Sequence, residues 1–272
     1  MKKNKSVFLS VPYVLWMLTF TLIPLGVVGY YALTDPESGA FTWGNIMNLS
    51  MYLPVLGQSV VYALISALIC LVLGYPVAYY IAHRGPLAQK LLYMLVMLPM
   101  CMSFLLRTLA WVGLLQDTGI INNFLDAIGI GRLPLIRTPA AVILGMVYNY
   151  LPYMILPLYA TLVKLDNRLI EAAEDLGCRP AQTFAKVILP LSMPGILSGI
   201  TMVFVPAVST FYISQKLGGT DTVLVGDLIE RLFKQADNPN LGAALSLVLM
   251  ALVFVCTGIM NRFGGDEEGV VV

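Results

Sequence analysis

Catalysis finds little to work with in this sequence. The one histidine, His83, stands beside Arg84, and the four cysteines, Cys70, Cys101, Cys178 and Cys256, form no C-x-x-C pair. Spacing therefore assembles neither a nucleophile with its base nor a metal cluster. Recognition chemistry is better supplied. Tyr148, Asn149, Tyr150 and Tyr153 crowd the middle of one apolar run, and Trp111, Ser209 and Tyr212 sit in two others. Aromatic faces attract cations, while hydroxyl and amide groups at that depth seek the protein interior or a wet cavity. Two uses stay open for such residues: lining a solute path, or hydrogen bonds that join helices. Arg107 is the one charge inside an apolar run. It can snorkel to the end of that run, about 12 Å away at the helical rise, or act as a gate or ion-pair partner.

The elements that position these residues are apolar helices. The 272-residue chain is 58% hydrophobic and 11% charged, whereas a soluble domain carries about 25% charged residues. Too few charges remain to coat a water-facing surface, and the net charge of +1 offers no basic patch for nucleic acid. Spanning helices need about 20 apolar residues, and the gaps between charges predict six: residues 7–33, 57–82, 90–115, 138–163, 193–214 and 241–261. The first follows Met1-Lys2-Lys3-Asn4-Lys5. Its run exceeds a signal-peptide core and no small-residue cleavage site closes it, so it reads as a retained span. With both termini inside, inner segments hold ten of the Lys and Arg residues and outer loops five, the bias expected of cytoplasmic loops. Pro76, Pro99, Pro157 and Pro206 fall within spans, where neighbours can satisfy the carbonyls they free. In the outer loop 215–240, Val223, Leu224, Leu228, Leu232 and Phe233 recur at near-helical spacing and predict a short interfacial helix. The acidic residues of the outer loops, Asp117, Asp126, Asp221, Asp227, Glu230 and Asp237, are read mainly as solvated charges.

The segment 164–190 between the fourth and fifth spans is different in kind. It reads as two short helices around a turn. Asp166 or Asn167 can cap the first, Gly177 supplies a left-handed stop, and Pro180 opens the second, which is expected to end before Pro190. Leu169, Ala172, Ala173 and Leu176 form a small-residue apolar face, and Phe184, Val187 and Ile188 form another. Small residues let a helix sit deep in a partner's groove while flanking charges set its register.

Glu171-Ala172-Ala173, three residues, Gly177, nine residues, then Val187-Ile188-Leu189-Pro190 resembles the E-A-A-x3-G-x9-I-x-L-P signature of ATP-binding-cassette (ABC) importer permeases, with Val187 in place of isoleucine. The resemblance implies an all-α type I (MetI-like) permease bundle in which Glu171, Ala172, Ala173, Leu176, Gly177, Phe184 and Pro190 couple to an ATP-binding subunit. It also implies that ATP and magnesium bind that partner and that this chain is not an enzyme. No G-x-x-x-x-G-K-[ST] loop is present to cradle phosphates. From about Val14 to Asn261 the chain further resembles one permease subunit of bacterial spermidine/putrescine importers. That likeness is carried by Cys70 to Pro76, Arg107 after Pro99, Thr138-Pro139, Gly145 to Tyr148, Leu151-Pro152, Pro157 to Tyr159, Met193 to Ile196 and Gly218-Gly219. It implies a second permease subunit, an ATP-binding dimer and an extracytoplasmic polyamine-binding protein as partners, in a bacterial inner membrane. Trp111, Tyr148, Asn149, Tyr153, Ser209 and Tyr212 are then candidates for the translocation path, and Arg107 for a gate or ion pair. Permeases for iron, thiamine or sulfate are the alternatives within the family. An ion-driven carrier is the alternative outside it, but that class shows inverted repeats and intramembrane carboxylates, and the six runs contain no Asp or Glu.

Overall fold

The computed structural model describes residues 12–35, 39–220, 222–234 and 238–264. The basic start Met1 to Lys5, Asp221 and Asp237 lie outside these residues. The described chain is helical, with an isolated bridge between Thr34 and Phe41 and no longer β-structure. In order it forms α1 (Pro12–Ala32), α2 (Leu53–Ala82), α3 (Pro86–Met97), α4 (Phe104–Leu115), α5 (Ile120–Ala127) and α6 (Pro139–Leu162). Then follow α7 (Asn167–Asp175), α8 (Pro180–Leu191), α9 (Met193–Val208), α10 (Tyr212–Leu217), α11 (Val225–Lys234) and α12 (Pro239–Gly264). Among the described residues, five helical stretches are long and apolar enough to cross a membrane, and the bent pair α8 and α9, at 64°, makes a sixth.

The chain divides into two compact units, one holding residues up to Pro54 with Leu228–Leu252, the other Val55–Asp227 with the chain from Val253. In the first, Asn240 donates from Nδ2 to the Thr34 carbonyl at 2.6 Å, and Asn45 donates to the carbonyls of Ala32 and Thr34. The α11 sequence Val225 to Lys234 is strongly two-faced, and Leu232 is buried while Phe233 is half-exposed.

The core of the second unit is α9 laid along α6. Gly195 and Gly199 are four residues apart, the small-x-x-x-small spacing that brings helix backbones together. A Cβ on Gly195 would lie 2.6 Å from Thr161 Oγ1 and 3.0 Å from the Pro157 carbonyl oxygen; one on Gly199 would lie 2.6 Å from Met154 Sδ. The α2 helix joins from another side. Ser66 donates to Met146 Sδ, and the Cys70 thiol to the Val147 carbonyl at 3.7 Å. Gly195→Val therefore forces a β-branched side chain against backbone and against another β-branched residue. Overpacking of this kind costs about 1–3 kcal/mol, and the expected result is a lower thermal midpoint of the purified subunit. Gly57→Ala, where an added Cβ meets nothing within 4 Å, should leave the midpoint unchanged.

Two expected spans differ from the structure. Residues 90–115 do not form one helix: α3 tightens into a 3₁₀ turn at Leu98–Cys101, the backbone turns extended at Met102 and Ser103, and α4 begins at Phe104. Pro99 lacks the N–H that would continue the ladder; Leu98 before it stays helical, and the backbone turns extended only after the 3₁₀ turn. Residues 193–214 likewise stop being one helix at Val208. Ser209 Oγ turns back onto the carbonyls of Val205 and Pro206, and a separate helix, α10, follows. By contrast, α6 runs unbroken through Pro152 and Pro157.

Candidate functional site

The segment between α6 and α9 is built from local hydrogen bonds. Asp166, not Asn167, caps α7, its Oδ1 accepting from the Arg168 N–H at 3.0 Å. At the other end Gly177 has φ +83°, its N–H bonds the Glu174 carbonyl at 2.8 Å, and the Cys178 N–H bonds the Ala173 carbonyl at 3.1 Å. Those two bonds around a left-handed residue make a Schellman stop, which glycine adopts without steric cost. The α8 helix opens at Pro180, with the Arg179 N–H donating to Gln182 Oε1.

The expectation that this second helix ends before Pro190 is corrected: it continues to Leu191. A wide π-turn at Phe184–Ile188 shifts the carbonyls that the proline ring at 190 would otherwise strike. The helix ends at Ser192, where the chain bends into α9.

The predicted apolar face of α7 is divided. Ala173 is buried, whereas Leu169, Ala172, Glu171 and Gly177 are exposed and Leu176 is 86% exposed. The second face is divided too. Thr183 and Ile188 are buried, and Phe184 sets its ring edge-on against Tyr75 (5.5 Å) and Tyr79 (6.4 Å) of α2. Beside them the Tyr75 hydroxyl meets Ser192 Oγ at 2.9 Å, directly at the bend. Pro190 is exposed. This arrangement presents a short two-faced helix, with both apolar and charged side chains exposed, to an outside surface and seats its neighbour on α2.

The candidate path residues fall into two groups. Trp111 meets Tyr148 edge-on at 5.4 Å. Phe104 lies 6.5 Å from Tyr150 and 6.3 Å from Tyr212, and Tyr150 lies 6.3 Å from Tyr153. Tyr148 and Tyr153 are each 37% exposed, so their rings have a free face. Asn149 turns the other way: it is fully buried and gives its Nδ2 to the Gly145 carbonyl at 2.9 Å. Ser209 spends its hydroxyl on its own helix. The stripe Tyr148, Pro152, Ile155 and Tyr159 is interrupted, since Pro152 and Ile155 are buried. At its far end Tyr159 and Tyr93, 5.4 Å apart, join Pro86, Gln89 and Lys90 around a cavity of about 300 Å³. Phe104 was absent from the expected set, although its spacing to Arg107 and Trp111 places all three on one helical stripe.

Lys216 lies over the Tyr212 ring at 5.7 Å. Arg107 is 6% exposed, and its Nε and Nη1 have no hydrogen-bond partner among the described residues. Of the acidic loop residues, Asp126 pairs with Arg132 at 3.6 Å, Glu230 pairs with Lys234 at 2.7 Å, and Asp227 is buried. The described residues contain no group of His, Cys, Asp and Glu able to hold a metal ion.

A sequence profile described as binding-protein-dependent transport system inner membrane component matches residues 71–264. The chain is 41% identical over 263 residues to the spermidine/putrescine transport system permease protein PotB of Haemophilus influenzae, covering 91% of this chain and 92% of that one. It is 38% identical over 259 residues to PotB of Salmonella typhimurium, covering 91% and 90%. The crystal structure of a bacterial alginate ABC transporter in complex with a periplasmic protein bound to alginate pentasaccharide contains a chain of the same fold. That chain matches with a TM-score of 0.81 at 16% identity, over 97% of this chain and 95% of that one.

Proposed function

Since this chain belongs to the family of inner membrane components of binding-protein-dependent transport systems, we propose that it is the permease subunit of an ABC importer that moves polyamines. The observation that carries the substrate is 41% identity along nine-tenths of both chains to a spermidine/putrescine permease. The aromatic groups of α4, α6 and α10 fit that class, because ammonium groups bind the faces of Tyr and Trp. In this reading the chain hydrolyses nothing. An ATP-binding dimer, with its magnesium, docks on α7. A second permease subunit supplies the other half of the path, and a receptor outside the membrane delivers the polyamine. Both termini and the α7–α8 segment face the cytoplasm.

The α7–α8 segment can act as a lever. Closure of the ATP-binding dimer pushes α7, whose Ala173 is buried in the pair. The push reaches α8, which Phe184 and Tyr75 tie to α2, and passes through the Ser192 bend into α9. Because α9 is locked to α6 at Gly195 and Gly199, the helices move together rather than flexing, and the bundle is the bistable element.

The test is reconstitution. Proteoliposomes holding this chain, its second permease and its ATP-binding subunit should take up labelled putrescine or spermidine only when ATP and the receptor are both supplied. Uptake by this chain alone under an ion gradient would overturn the importer reading. ATP-driven uptake of another solute with no polyamine uptake would overturn the substrate.

A further inference from the structure

Among the described residues, no ion pair is formed by Arg107. A guanidinium stays protonated at every accessible pH, and an enclosed one needs hydrogen-bond partners or an opposing charge. Yet Nε and Nη1 are buried without partners among the described residues, and the apolar run 90–115 that holds Arg107 carries no Asp or Glu. The surroundings add positive character. Arg107 lies in the first turn of α4, its N–H bonded to the Ser103 carbonyl at 3.1 Å, so it stands at the positive end of a helix that begins in the middle of the broken third span. The Thr108 hydroxyl donates to the Phe104 carbonyl, and neither Nε nor Nη1 of Arg107 donates to its oxygen.

On this evidence we propose that Arg107 pairs with a carboxylate inserted by the second permease subunit, which must therefore carry an intramembrane Asp or Glu facing the break at Met102–Ser103. The proposal rests on the permease reading. The solute is the wrong occupant, since a polyamine is itself cationic and would be repelled. A membrane helix fits better: beside Arg107, Leu105, Leu106 and Leu109 leave an exposed apolar strip on α4. The pairing would also neutralise Arg107 one turn from Trp111, removing a positive charge that would otherwise repel a polyamine from the path.

Three variants in the assembled transporter test the pairing. Arg107→Lys should retain copurification of the second subunit and most uptake. Arg107→Glu should lose uptake at least tenfold, and changing one intramembrane acidic residue of the second subunit to lysine should restore it. Arg107→Cys, with Cys101→Ser to remove an exposed thiol, should form a disulfide with cysteine placed at that same acidic position. Wild-type copurification and uptake by Arg107→Met, or no disulfide at any intramembrane acidic position, would overturn the pairing. A chain that assembles with no second membrane subunit would instead overturn the permease reading beneath it.

Discussion

Leu176→Glu should separate this subunit from its motor while leaving the subunit itself folded. Leu176 is 86% exposed at the end of α7, so it contributes almost nothing to the stability of the lone chain, and surface changes of this kind shift stability by about 0.5 kcal/mol or less. If α7 is the docking element proposed above, the same side chain would be an apolar anchor beside Ala172 and the flat Gly177. Loss of a central interface anchor costs about 2 kcal/mol or more, and a carboxylate desolvated in its place costs further. Affinity for the ATP-binding subunit should therefore fall by at least about thirtyfold. The expected readings are loss of that subunit from the purified transporter, uptake at background, and an unchanged thermal midpoint for the isolated chain. An intact complex with normal uptake would remove α7 as the docking element.

Gly177 gives the second large effect, for a different reason. The space around it is open, since an added Cβ would meet nothing within 4 Å, but its φ of +83° is left-handed. Left-handed backbone costs an L-residue about 1–2 kcal/mol, and Asn tolerates it better than most. Gly177→Val should swing α7 off its axis relative to α8 and reduce uptake about tenfold or more, with the protein still in the membrane. Gly177→Asn should keep most of the activity. Equal uptake by both variants would show that the Schellman stop is not what aims α7, whereas equal loss would point to contact with the partner instead of backbone geometry.

The α7–α8 segment was legible because its structure is local. Asp166, Gly177 and Pro180 act through bonds to residues two to five positions away, and such bonds are written in sequence order. The face of α7 was legible only in part. That Ala173 turns inward while Leu176 stays outside depends on where α8 lies, which spacing cannot say. The path residues show the same limit. Tyr148, Asn149 and Tyr153 share a depth along α6, yet Asn149 is buried against its own helix while both tyrosines keep an exposed face. Phe104 joins them through α4, an element whose start was hidden inside an expected longer span.

Composition, charge spacing and capping residues alone determined that this chain is a bundle of membrane helices with a two-helix segment between two of them, because transfer from water to lipid acts on each residue's own chemistry and the capping bonds are short-range. Only the tertiary structure decided that the third span breaks at Met102–Ser103, that α9 stops at Val208, and that Nε and Nη1 of Arg107 are buried without a partner among the described residues. Hydropathy measures how well a residue tolerates lipid, and it is the same for an apolar helix, an apolar break and a buried arginine's apolar neighbours. Backbone direction and charge compensation are settled by contacts between residues far apart in the chain.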